Sequence, residues 1–193
     1  MDVFAGVGPF AVPAARRGIV VYANDLNPAS YEALKKNAAL NKVQFGLKTY
    51  NLDGGAFLKQ AFKDVLADRT ARSGSAPPAA KKARTEGGAS DRLVDHIVMN
   101  LPATAIDFLP SLSGVFNGLL PTAPVQADMP TVHCHCFEEV CDDAEQRVIQ
   151  RTKASLGVDA LEGEVKVHRV RSVAPNKDMF CISFSLPLAV ALR

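Results

Sequence analysis

Apolar positions along the 193-residue chain follow two periods in turn. Short, β-branched or nearly continuous apolar runs stand at Val3-Phe4, Ile19 to Ala23, Leu47 to Leu52, Val94 to Met99 and Thr131 to Phe137. Between them lie stretches whose apolar residues recur every three or four positions, the spacing of a helix buried on one side. Pro9 to Arg17 is the first of these. Asn27-Pro28 reads as an N-cap followed by a first-turn proline, opening a helix to about Leu40 with Tyr31, Leu34 and Ala38 on one face. Gly54 to Asp68 carries the stripe Phe57, Leu58, Phe62 and Leu66; Ala103 to Leu112 and Asp142 to Leu156 complete the set. Strands that alternate with helices predict βαβ units on a parallel sheet. The run Ile19 to Ala23 lacks polar alternation, as a parallel strand covered on both faces requires. Val165 to Val173 and Met179 to Leu186 are joined by Ala174-Pro175-Asn176-Lys177 with no helix between, which predicts an antiparallel hairpin closing the sheet edge. The expected fold is α/β and Rossmann-like: a mostly parallel seven-stranded sheet with helices on both faces, in one domain over residues 1–193. Arg69 to Arg92, small, polar and basic, keeps no apolar period and reads as a flexible surface insertion.

Composition narrows this picture only a little. At 48% hydrophobic residues the chain can bury one sizeable core. A formal charge of +2 permits a polyanionic partner without demanding one. The four cysteines form no regular framework, which points to reduced thiols inside the cell. No apolar run is long enough to span a bilayer, and no secretory signal is visible.

The chemistry gathers at predicted strand ends. Asp2 to Phe10 reads as a strand end, a Gly6-x-Gly8 turn and a helix entry, the device that lets backbone approach a nucleotide. Asp25 closes the second strand about twenty residues later, where an acid accepts from ribose hydroxyls. Asp53 closes the third strand, within reach of an adenine amino group. Asn100 closes the fourth, opposite the glycine loop, with an amide that both accepts and donates. Each has a plain reading as a strand-end turn, a helix entry or an Asx turn. Their joint placement favours a cofactor with a ribose and a base. The Gly6-x-Gly8-x-x-Ala11 spacing suits a nicotinamide cofactor almost as well.

With these residues in place, the chain resembles the catalytic domain of the eukaryotic and archaeal tRNA (guanine-N1)-methyltransferases that act on guanine 37, the Met-10+ like class I family dependent on S-adenosylmethionine. The resemblance rests on DVFAGVGPFAVP (2–13), NDLNPASYEALKKNAALNKV (24–43), NLDGGAF (51–57), HIVMNLPATAIDFL (96–109), VHCHCFE (132–138) and VHRVRSVAPNKDMFCISFSL (167–186). It implies that Phe4 and the Gly6-Gly8 loop line the S-adenosyl-L-methionine site, that Asp25 and Asn27 hold the ribose and Asp53 the adenine end, and that Asn100 with Pro102 positions the target guanine. It implies a tRNA partner, a monomer, and work in cytoplasm, nucleus or mitochondrial matrix. It also implies that a proton acceptor and a stabiliser of guanine O6 precede Asp2. On that reading the first strand is cut, and the chain alone binds cofactor yet methylates weakly.

Other clusters weigh less. His133-Cys134-His135-Cys136 suggests a metal site, but in a strand its histidines and cysteines fall on opposite faces, so no metal is expected. Lys166, His168, Arg169, Arg171 and Lys177 form a basic group; Arg169, Arg171 and Lys177 are candidate contacts to tRNA phosphates, against a plain solvated edge. Lys81-Lys82-Ala83-Arg84 sits in the insertion. Two further functional readings stand beside the methyltransferase: an NAD(P)-dependent oxidoreductase, and a non-catalytic module that binds cofactor or RNA.

Overall fold

The computed structural model describes residues 1–74, 92–119 and 124–193. Among the described residues the strands are β1 (Val21–Asn24), β2 (Leu47–Tyr50), β3 (His96–Met99), β4 (Thr131–Glu139), β5 (Glu162–Ala174) and β6 (Lys177–Ser185). The helices are α1 (Ala11–Arg16), α2 (Pro28–Leu40), α3 (Gly54–Gly74), α4 (Ala144–Leu156) and α5 (Leu188–Ala191), with a 3₁₀ stretch over Ala105–Leu112. β1 and β2 pair in parallel, and a second ladder runs β3-β4-β6-β5. Within it β3 and β4 are parallel, while β6 is antiparallel to both β4 and β5. The predicted hairpin is thus present, with β5 outermost.

Residues 1–3 lie between the two ladders. Asp2 pairs in parallel with Ala23 of β1 and with Val98 of β3. Its amide donates to Tyr22 O (2.8 Å) and its carbonyl accepts from Asn24 N (2.9 Å), while Val3 N donates to Val98 O (2.9 Å). These bonds join the two ladders side by side.

Burial follows the pleat. All four β1 positions are buried. Val21 and Ala23 pack with α1 and α2 through Val12, Ala15, Leu34 and Ala38, and Tyr22 packs in the larger core with Phe57, Phe62, Ile97 and Leu109. Helices therefore cover both faces of this half, which is why the strand carries no polar alternation. β4 instead alternates buried and half-buried positions: Val132, Cys134, Cys136 and Glu138 point into the core.

Several boundaries differ from the sequence reading: the strand expected over Ile19 to Ala23 begins at Val21, with Ile19 and Val20 exposed ahead of it. The third helix runs on through Gly74, so the first residues of the presumed insertion, from Arg69, are helical. Residues 75–91, including the Lys81-Lys82-Ala83-Arg84 cluster, lie outside the described residues. The segment after Asn100 is a 3₁₀ stretch from Ala105 rather than an α-helix, because Pro110 inside it brings no amide for an α-helical bond. The first helix begins at Ala11, not Pro9, although Val12 N already bonds to Gly8 O at 3.0 Å. No helix among the described residues is long and apolar enough to cross a membrane.

Candidate cofactor and base site

The predicted residues converge at the carboxyl ends of the parallel strands, on either side of residues 1–3. Asp25 follows β1, Asp53 lies just past β2, Asn100 follows β3, and the glycine turn leaves residues 1–3 directly. In open α/β sheets this is the crevice in which ligands bind.

The two glycines answer different demands. Gly6 has φ +55°, and a Cβ there would meet nothing within 4 Å. Its left-handed backbone faces open space. Gly8 has φ +98°, and its Cβ would meet Leu34 Cδ1 at 2.7 Å and Val12 Cγ2 at 2.8 Å. Gly8 serves close packing of the turn on α2. The loop is pinned by Asn37, whose Nδ2 donates to Val7 O at 2.8 Å. Phe4 is half-buried, edge-on to Phe108 at 5.0 Å between ring centres. Gly54 leaves room for it, since a Cβ there would come within 2.9 Å of Phe4 Cε1.

Asp25 is held from both sides. Gly6 N donates to its Oδ2 at 2.8 Å, and Asn27 N to its Oδ1 at 2.9 Å. One bond on each carboxylate oxygen leaves acceptor capacity on both. The carboxylate is therefore oriented before any ligand arrives. The acid ties the glycine loop to the start of α2.

Asn27 and Asp53 have structural duties. Asn27 Oδ1 accepts from Ala29 N at 2.9 Å and caps α2, so only its NH₂ group remains for a ribose. Asp53 Oδ1 accepts from Gly55 N at 2.9 Å and from Ala56 N at 3.4 Å at the start of α3. The plain helix-entry reading of Asp53-Gly54-Gly55 is correct, and it uses only one of the two carboxylate oxygens. Asn100 is half-buried, and its side chain makes no hydrogen bond among the described residues. The loop behind it is tight: Ala105 N donates to Leu101 O at 2.7 Å, and Pro102 O accepts from Phe137 N at 3.1 Å.

Sequence reasoning missed the residue that aligns these loops. Asn24 is fully buried. Its Nδ2 donates to Val3 O (3.1 Å) and Leu52 O (2.9 Å), and its Oδ1 accepts from Leu52 N (2.9 Å). One amide thus clasps the chain leaving residues 1–3, β1 and β2. Asn51 adds bonds from Nδ2 to Asp25 O (2.8 Å) and Leu26 O (2.9 Å). The available signal was a lone amide ending an apolar strand. Asp2 was also passed over. Its carboxylate is buried without a hydrogen-bond partner, and burial pushes its pKa up to about 6.

The remaining candidates separate clearly. Arg169 is bound to Asp178 through Nε and to Ser172 Oγ at 3.1 Å, so its guanidinium is committed within the hairpin. Arg171 and Lys177 are exposed, Lys177 Nζ lying 5.9 Å from the Phe137 ring centre. His133 and His135 occupy the opposite face of β4 from Cys134 and Cys136, as the alternation required. Burial pushes the Cys136 thiol up to about 11 and raises Cys134 further. No group of three or more His, Cys, Asp or Glu among the described residues is arranged to hold a metal.

Residues 1–74 match the model of the TRM5/TYW2 methyltransferase domain. A tRNA (guanine(37)-N(1))-methyltransferase of Mus musculus is 46% identical over 193 residues, covering 100% of this chain and 34% of its own length. One from Batrachochytrium dendrobatidis is 41% identical over 210 residues, covering 98% and 43%. Among solved structures, Trm5b of Pyrococcus abyssi superposes with a TM-score of 0.59 at 21% identity, over 95% of this chain and 42% of that one. TYW2 of M. jannaschii, solved in complex with AdoMet, gives 0.61 at 19%, over 95% and 65%. The chain therefore spans well under half the length of these curated relatives. Nothing in these likenesses supports an oxidoreductase. The ordered motifs, the strand-end site and the relatives agree: the chain belongs to the TRM5/TYW2 methyltransferase-domain family.

Proposed function

We propose that this chain forms the cofactor- and base-binding part of an enzyme that transfers a methyl group from S-adenosyl-L-methionine to N1 of guanine 37 in tRNA. The observation that carries the reading is the pre-oriented Asp25 carboxylate beside the open Gly6 backbone, with the unpartnered Asn100 amide across the same strand ends. The sheet supports it too. The ladders β2-β1 and β3-β4-β6-β5 flank residues 1–3, which bridge to both, so the winding reverses direction at the proposed site.

The residues present suit the cofactor. Asp25 accepts from two ribose hydroxyls with the lone pairs left beyond Gly6 N and Asn27 N. Phe4 offers an apolar wall, and Asp53 Oδ2 an acceptor for an adenine amino group. The bound cofactor supplies an electrophilic methyl group on a sulfonium. Asn100 and the Pro102 loop hold the guanine edge so that N1 lies in line with that methyl carbon. In the transfer the N1–C bond would form as the C–S bond breaks, its electron pair going to sulfur, and the proton on N1 would pass to solvent. Alignment of this kind is worth several kcal/mol of barrier. Arg171 and Lys177 contact tRNA phosphates, which need only loose geometry.

Calorimetric titration with S-adenosylhomocysteine and, separately, NAD tests the cofactor. A methyl-transfer assay on guanine-37 tRNA against the same tRNA carrying adenine at that position tests the substrate. NAD binding without S-adenosylhomocysteine binding would overturn the reading, as would equal transfer to both tRNAs.

A further inference from the structure

Beyond the cofactor crevice, one polar cluster reaches the loop that carries Asn100. The β3–β4 ladder ends at Met99 paired with Cys134, while β4 continues to Glu139. Past that point the bond from Phe137 N to Pro102 O (3.1 Å) ties the loop back to β4. Helix α4 approaches from the side. Arg151 Nη1 donates to Phe137 O (2.8 Å) and to Glu138 Oε2 (2.8 Å). Four residues on, and so on the same helix face, Ser155 Oγ donates to Ile106 O at 2.6 Å. Glu138 is 6% exposed and also faces Arg147, with Nη2 3.5 Å from Oε1. Phe137 is thus fixed through both backbone groups, its amide on the loop and its carbonyl on Arg151.

We propose that Arg151, locked by Glu138, is a positioning residue for methyl transfer: acting through Phe137 and Pro102, it sets where Asn100 presents the target guanine. The inference rests on the reading of Asn100 given above. The Glu138 carboxylate is committed to two guanidinium groups and is not free to take the guanine proton. Its role is to hold Arg151 against the Phe137 carbonyl. Both bonds leave the one Nη1 atom, and a lysine at 151 would bring its ammonium to that point only on a flexible stem, without the fixed direction of the planar guanidinium. A base held about 1 Å out of line loses up to 100-fold in rate.

The test uses the protein in its longest expressed form. Turnover and KM are measured on guanine-37 tRNA, with S-adenosylhomocysteine affinity and melting temperature measured in parallel. Arg151→Met is expected to lower kcat by about 10–100-fold, with cofactor affinity unchanged. Arg151→Lys should fall between Met and wild type, and added guanidinium should restore part of the rate of Arg151→Ala. Glu138→Gln, which keeps the volume, should lower kcat about 3–10-fold. An active wild type with unaltered kcat in folded Arg151→Met overturns this inference alone. A kcat loss matched by lost cofactor affinity also overturns it. If Arg151→Met does not fold, Glu138→Gln decides, and unchanged kcat there overturns the proposal. A wild type that transfers nothing to guanine 37 overturns the proposed function, and this inference with it.

Discussion

Replacing Asp25 probes the proposed cofactor site most directly, because its carboxylate has two separable duties. It accepts from Gly6 N at 2.8 Å and from Asn27 N at 2.9 Å, which orders the glycine loop against the entry of α2. Its remaining lone pairs face the crevice, where the ribose hydroxyls of the cofactor would donate. A hydrogen bond to a charged acceptor contributes about 1.5–3 kcal/mol. Losing two such bonds, with water replacing part of each, should cost the complex about 1.5–4 kcal/mol, or roughly ten-fold to a thousand-fold in Kd. Asp25→Ala also strands the partly buried Gly6 amide, while the exposed Asn27 amide turns to water, and should lower stability by about 1–2 kcal/mol. Asp25→Asn separates the duties: one carbonyl oxygen remains to accept, the charge is gone, and the loss of affinity should lie nearer ten-fold. Calorimetry with S-adenosylhomocysteine measures Kd, and urea unfolding shows how much folded protein each titration contains. A folded Asp25→Ala with wild-type Kd would refute the ribose role and confine the residue to ordering the loop.

Three further outcomes follow from the geometry. Gly8→Ala should destabilise the fold by about 1–3 kcal/mol in urea, since its Cβ meets Leu34 and Val12 side chains at 2.7–2.8 Å; Gly6→Ala, with open space around it, should cost about 1 kcal/mol yet weaken cofactor binding, and the reverse ranking in either assay would contradict the division of labour between the glycines. Burial pushes the Glu138 carboxyl up, but the Arg151 hydrogen bond, the Glu139 amide and the two arginine charges outweigh it and hold its pKa below the usual range. Its stabilising contribution is then complete above the ordinary glutamate pKa and lost as pH falls through the lowered one, so the stability gap between wild type and Glu138→Gln should close on acidification; a gap that is constant with pH would contradict the pairing. Arg171→Glu combined with Lys177→Glu should weaken tRNA binding and flatten its salt dependence by about one to two counterions, while Arg169→Gln should act on hairpin stability instead; an unchanged salt slope in the double variant would remove both residues from the RNA path.

Most elements were legible because their patterns are local. The N-cap Asn27 with Pro28, the stripe of α2, the unbroken apolar run of β1 and the short link between β5 and β6 each report a nearby physical constraint. The strand-end acids and amide were legible because a parallel sheet delivers successive carboxyl ends to one edge, so spacing alone places Asp25, Asp53 and Asn100 together. What stayed hidden depends on partners far away in the chain. Asn24 is one polar residue in sequence, and only the fold brings Val3 and Leu52 to its amide. The difference between Gly6 and Gly8 lies in whether Leu34 stands over the Cβ position. Arg169 reads as a free cation until the hairpin register sets Asp178 beside it, and Glu138 reads as a spare acid until α4 delivers Arg147 and Arg151. The sequence by itself determined which chemistry is present and in what order the strands present it. The tertiary structure decided which of those groups face the crevice and which are consumed in building it, because hydrogen-bond partners are assigned by proximity in space, which sequence distance does not encode.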